Sequence, residues 1–171
     1  MSVFTTSLGR AVPHCHLNHP NEACPFDCQE PEVTPDEREA LRQQVRDINP
    51  DAEEIYPPTR RYNCHAYAYA HGRAWFCEPG FFLEDDFREI TFDEARRGDV
   101  IVYRFRRQIA HSAVVLAVED GEVTLVHSKW GGAAAVIHHP RKVIHEYGRP
   151  RQIFRRRRRA ALSTKKRGAR K

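Results

Sequence analysis

The sequence predicts an α+β domain in which N-terminal helices pack on an antiparallel sheet of about five strands. Segments with helical signals come first in the chain, and segments with strand alternation follow consecutively. The strand-like runs are joined by short turns rather than by helical crossovers, which argues against a doubly wound parallel sheet. At 171 residues the chain is long enough for one domain with a real core.

Residues 1–33 are rich in Pro, Cys, His and Asn, with little periodicity, and read as an irregular leader. Thr34-Pro35-Asp36-Glu37 is a helix start, with Thr as N-cap, Pro in the first helical position and Glu three residues after the cap. This helix runs to about Ile48, stops at Asn49-Pro50, and carries Leu41, Val45 and Ile48 as its apolar stripe. Tyr56-Pro57-Pro58 reads as a rigid extended link. Asn63 is a good N-cap for a short helix beginning at Cys64 and ending near Gly72. The aromatic-rich stretch 73–90 reads as a packed loop with a short helix, and Thr91 to Arg97 as one helical turn capped by Thr91 or Asp93. Strands follow at Val100–Tyr103, His111–Val118, Glu122–His127, Val136–His138 and Gln152–Arg155, the second and third forming a hairpin through Glu119-Asp120-Gly121.

The net charge of +5 conceals two parts. From Arg149 to Lys171 there are twelve basic residues and no acidic ones, which leaves 16 basic against 23 acidic residues before them, or −7. Domain organisation follows: a leader at 1–33, a body at 34–155, and a basic tail at 156–171 read as disordered. No stretch approaches a membrane span, and the N-terminus lacks the uninterrupted apolar segment of a secretory signal, so the expected compartment is the cytoplasm. Five cysteines, an odd number without an export signal, argue against a disulfide framework.

Cys64 stands where a helix start lowers a thiol pKa and supplies N–H groups for an oxyanion. Small Ala66 and Ala68 allow that helix to approach a sheet. On the His111 strand, His111, Ala113, Val115 and Ala117 share one face by the two-residue period; on the next, Val123, Leu125 and His127 do. If both faces meet the Cys64 helix, His111 takes the thiol proton and His127 holds the His111 imidazole. His65 is a rival base, but adjacent helical residues point about 100° apart. Trp130, before Gly131-Gly132, reads either as the wall of a substrate groove or as a cover on the edge of the core.

Asn63-Cys64-His65-Ala66-Tyr67, Arg97-Gly98-Asp99-Val100-Ile101-Val102-Tyr103, His111-Ser112-Ala113-Val114-Val115 and Val126-His127-Ser128-Lys129-Trp130-Gly131 together resemble the NlpC-type branch of papain-like cysteine peptidases. The resemblance covers roughly residues 34 to 155. It implies a papain-like fold, Cys64 as nucleophile, His111 as base and His127 as the orienting residue. It also implies Tyr56 or Tyr62 beside the oxyanion, next to Asn63. The implied activity is amide hydrolysis or acyl transfer on a peptide or amide substrate, with no metal or organic cofactor.

Two other readings compete. One is a catalytically silent interaction module of the same fold. The other is a zinc-bearing nucleic-acid-binding protein, because His14, Cys15, His16, His19, Cys24 and Cys28 offer borderline-soft ligands, with Cys24 and Cys28 at metal-loop spacing. The tail would bind anionic partners, nucleic acid or lipid, without sequence preference and with steep salt dependence. Phe154 is its one aromatic neighbour, which does not indicate base stacking.

Overall fold

The computed structural model describes residues 4–15 and 31–157. It is an α+β domain with three helices and a seven-stranded antiparallel sheet. The helices are α1 (Pro35–Ile48), α2 (Cys64–Ala70) and α3 (Gly80–Asp86). In chain order the strands are β1 (His14–Cys15), β2 (Glu53–Tyr56), β3 (Trp75–Phe76), β4 (Phe87–Ile90), β5 (Val100–Phe105), β6 (Gln108–Glu119), β7 (Glu122–Lys129), β8 (Ala135–His138) and β9 (Arg149–Arg156). The large sheet runs β2-β8-β7-β6-β5-β9-β4, and β1 pairs with β3 apart from it.

The local signals act as expected. Thr34 and Glu37 close a reciprocal capping box on α1, and Asn63 caps α2 by accepting the Ala66 N–H. At the far end of α2, His71 takes a left-handed conformation (φ 56°) and Gly72 follows it, returning the Gly72 N–H to Ala66 O. Thr91 caps a short 3-10 turn at Phe92–Glu94, again with a reciprocal box to Glu94.

The strand count corrects the expectation of about five. The additional members, β2 and β4, are four residues each and form the two edges of the sheet. β2 is exposed along most of its length, so it carries no alternating signal. β4 is recognisable only from its pairing with β9, where Ile90 meets Ile153 and Phe87 meets Arg156.

Each sheet face has its own core. One face, covered by α2 and α3, gathers Ala66, Tyr69, Phe76, Phe82, Phe87, Val100, Val102 and Phe154. The other gathers Ile90, Ile101, Tyr103, Ala113, Val115, Val126 and Ile153. A third cluster joins Val45 of α1 to Trp130, Ala133, Ala134 and Val136 around the β7–β8 turn. Beneath the sheet end, the buried carboxylate of Asp99 accepts two hydrogen bonds from Arg155, at 2.9 and 2.7 Å, and one from the Arg96 N–H.

The register fixes which way each site residue points. Residues directly opposite on neighbouring strands share a face, and Val102 lies opposite Ser112, Tyr103 opposite His111, and Val114 opposite His127. His127, Val114 and Ser112 therefore face α2, while His111, Ala113 and Val115 face away from it. This corrects the expectation that the His111–Ala113–Val115 face meets the Cys64 helix. The run is apolar on both faces, so its alternation gave no reason to choose one over the other.

Candidate active site

Cys64, the first residue of α2, is 5% exposed. The backbone N–H groups of Ser112, His65 and Cys64 itself are directed at its sulfur. Burial nevertheless dominates and pushes the thiol up to about 11. The Ser112 contact is the geometric link to the base candidate. Ser112 follows His111 in β6, so the sulfur rests against the backbone at the root of the His111 side chain.

His111 is completely buried. Among the described residues neither of its ring nitrogens has a hydrogen-bond partner. The ring is held instead by aromatic packing: Tyr147 lies parallel to it and Tyr103 meets it at an angle with centroids 5.1 Å apart. Burial, with His138 and His65 nearby, lowers its pKa well below the usual imidazole value, so the resting ring is neutral. Nearly all buried polar groups are paired, so an imidazole with both nitrogens free is an exception in this fold.

The other histidines are already engaged. His127 is half-buried, with Nδ1 2.8 Å from the Tyr67 hydroxyl. Burial raises that phenol to about 12 and holds it protonated. The structure brings His127 to Tyr67 and not to His111, which points to the opposite side of the sheet. On β8, His138 shares the His111 face, since it lies opposite Val126. Trp130 Nε1 donates to Ser128 Oγ at 3.1 Å, which leaves the Ser128 hydroxyl proton for His138 Nε2 at 2.8 Å. The remaining His138 nitrogen, Nδ1, donates to the His139 carbonyl at 2.9 Å. Both nitrogens of His138 are thus used, and it has none left to orient His111. His65 Nδ1 lies 2.9 Å from Ser112 Oγ, which also meets the Tyr69 hydroxyl at 2.8 Å. Burial lowers both His65 and His138 to about 4.

The remaining candidates divide between structure and surface. Asn63 spends its side chain on the fold: Oδ1 accepts from the Ala66 and Phe76 N–H groups, and Nδ2 donates to the Phe76 carbonyl. Tyr62 stacks on Tyr67 (centroids 6.2 Å apart), and Tyr56, 53% exposed on the edge strand β2, meets Tyr67 edge-on at 6.3 Å. These three tyrosines and His127 form a partly exposed aromatic ledge along α2. Trp130 is 4% exposed and packs edge-on to both His138 and Tyr147, so it covers the core edge.

Sequence reasoning passed over Ser112, Ser128, Lys129, His138 and Tyr147. Two of these were open to the period argument. Ser112 alternates with His111, and His138 ends a recognised strand. Lys129 and Tyr147 reach the site only through tertiary folding. Among the described residues no group of three or more potential metal ligands converges. Of the proposed zinc ligands, His14 bonds through Nδ1 to the Val12 carbonyl at 2.8 Å. The side chain of Cys15, and His16, His19, Cys24 and Cys28, lie outside the described residues, as does the tail beyond residue 157.

No protein-family model, curated protein or solved structure matches this chain.

Proposed function

We propose that this protein is a cysteine-dependent amide hydrolase or acyl transferase of papain-like, NlpC-type character, with Cys64 as nucleophile and His111 as base. One observation carries the reading: Cys64 opens α2 with the backbone N–H groups of Ser112, His65 and Cys64 directed at its sulfur, and the residue before Ser112, His111, is a fully buried imidazole with both nitrogens unpartnered among the described residues. A helix-borne cysteine followed by consecutive antiparallel strands supports the fold assignment.

In the proposed reaction the Tyr147 loop opens, the His111 ring turns toward Cys64 and takes its proton, and the sulfur attacks the substrate carbonyl carbon. The oxygen of the tetrahedral adduct would be stabilised by the amides now directed at sulfur. Imidazolium then gives its proton to the departing amine as the C–N bond breaks, leaving a thioester. Water, or an acceptor amine, loses a proton to His111 and attacks the thioester; the sulfur leaves and regains a proton from His111. His111 is oriented by the Tyr147 and Tyr103 rings, so the site works as a dyad, without the third histidine that the resemblance assigns to His127. The site is closed in this state, and substrate entry requires Tyr147 and its loop to move. The aromatic ledge of Tyr56, Tyr62 and Tyr67 is the adjoining surface for a peptide or amide substrate. A cytoplasmic setting and contact of the basic tail with anionic partners belong to the same proposal.

The second reading, a silent interaction module, is favoured by the closure of the site and the raised thiol pKa. Alkylation of Cys64 across pH separates the two, followed by peptide mass spectrometry in wild type and His111→Ala. The enzyme reading expects a His111-dependent rate and a thioester adduct on Cys64 with an activated acyl ester. Equal rates and midpoints in both proteins, with no adduct, would establish the module.

A further inference from the structure

We propose that Lys129 is a positioning residue of the Cys64 site: an ammonium caged by backbone carbonyls that ties the link entering α2 to the β7–β8 turn and sets a positive charge near the thiol. The proposal rests on the reading of Cys64 as a nucleophile.

Lys129 ends β7 and is completely buried. Its Nζ donates to three carbonyl oxygens: Thr59 at 2.9 Å, Gly131 at 2.6 Å, and Ala133. Thr59 belongs to the link entering α2, and Gly131 and Ala133 to the β7–β8 turn that carries Trp130. One side chain therefore ties the link that enters α2 at Cys64 to the β7–β8 turn.

The cage also selects a protonation state. An ammonium has three N–H donors and no acceptor, matching three carbonyls. A neutral amine has two, and would turn its lone pair toward the third carbonyl oxygen. Burial, with Arg60 nearby, pulls Lys129 down to about 7 against the raising influence of Cys64 and Glu32, while the three carbonyls, which accept only from N–H groups, favour the cation. The charged and titratable groups facing Nζ are Cys64, Glu32 and Arg60, with the Tyr62 ring 5.4 Å away. Among the described residues no carboxylate forms an ion pair with it. Glu32 is committed to the Thr59 hydroxyl, the Arg60 N–H and Arg61. Around Cys64 the titratable groups are Lys129 from β7, Tyr147 from the loop before β9 and Tyr69 from α2, together with the backbone N–H groups of Ser112 and His65. Lys129 is the cation among them. Its charge is left over for the thiol, so it favours the thiolate that attacks.

A purely structural tie would move stability alone, whereas a coupled cation must also move the titration of Cys64. The full chain is alkylated with iodoacetamide across pH in wild type, Lys129→Arg and Lys129→Met. Lys129→Met should raise the Cys64 midpoint by about one pH unit, about tenfold less thiolate near neutrality, and Lys129→Arg should restore much of it. Coupling is reciprocal, so the Lys129 Cε resonance in ¹³C-lysine-labelled protein should titrate lower in Cys64→Ser than in wild type. This second measurement leaves Lys129 intact and decides the matter if Lys129→Met does not fold. An unchanged Cys64 midpoint in folded Lys129→Met, or an unchanged Lys129 titration in Cys64→Ser, overturns the proposal. His111→Ala reports separately: alkylation indifferent to His111, with the Lys129 coupling present, removes the enzyme reading and leaves the coupling standing.

Discussion

The Tyr147 ring lies flat on the His111 imidazole, with centroids 3.9 Å apart and planes within 4° of parallel. This stack covers the proposed base and leads to the chain's only described thiol at a helix start. It follows a loop fastened at both sides, by the Tyr103 hydroxyl donating to the Pro140 carbonyl at 2.9 Å and by the Lys142–Asp51 ion pair at 2.5 Å.

Removing the ring opens the site. Tyr147→Leu should speed alkylation of Cys64 several-fold while costing about 1–3 kcal/mol in lost aromatic packing. Tyr147→Phe keeps the stack and should leave the rate near wild type. Stopped-time mass spectrometry of the Cys64 peptide checks both, and a rate unmoved in Tyr147→Leu would show that the ring does not guard the thiol.

The loop also depends on Gly148. Its φ is +74°, and a Cβ there would overlap the Arg104 carbonyl oxygen. Gly148→Ala should destabilise the domain by about 2 kcal/mol or more, since strain and overlap add. Gly98, at φ +90° with open space around it, is the control; Gly98→Ala should cost about 1 kcal/mol from backbone strain alone. Urea denaturation of the two variants measures the difference.

Asn63 joins the start of α2 to β3 through three hydrogen bonds. Asn63→Ala removes the cap and strands the buried Phe76 amide group, so a loss of about 2–3 kcal/mol is expected. Asn63→Asp keeps the cap but loses the donor to Phe76 O and should fall between. Thermal melts of the three proteins give the order.

Acid should unfold this protein through its buried histidines. His65 and His138 titrate at about 4 in the folded chain, against an ordinary value of 6.5, because burial disfavours the imidazolium. A depressed histidine binds fewer protons folded than unfolded. The stability it contributes is therefore fully present above about 6.5 and is lost as pH falls toward 4, by up to about 1.4 kcal/mol per pH unit for each histidine. Urea midpoints measured across that window should fall steeply in wild type and less steeply in His138→Gln. Equal slopes would mean that His138 is not held neutral by the fold.

What the sequence determined by itself is local: the caps at Thr34, Asn63 and Thr91, the β6–β7 hairpin, and the placement of Cys64 at a helix start. These features are written in a few adjacent residues, because a cap or a turn is satisfied within one turn of chain. The tertiary structure decided which way β6 faces. His111, Ser112, Ala113 and Val115 are all buried, so both faces of that strand satisfy the hydrophobic pattern and only the register against β5 and β7 chooses between them. That choice sent Ser112 toward α2 and His111 away, and gave His127 to Tyr67. It also left room for Tyr147 and Lys129, distant in sequence, to close around the thiol.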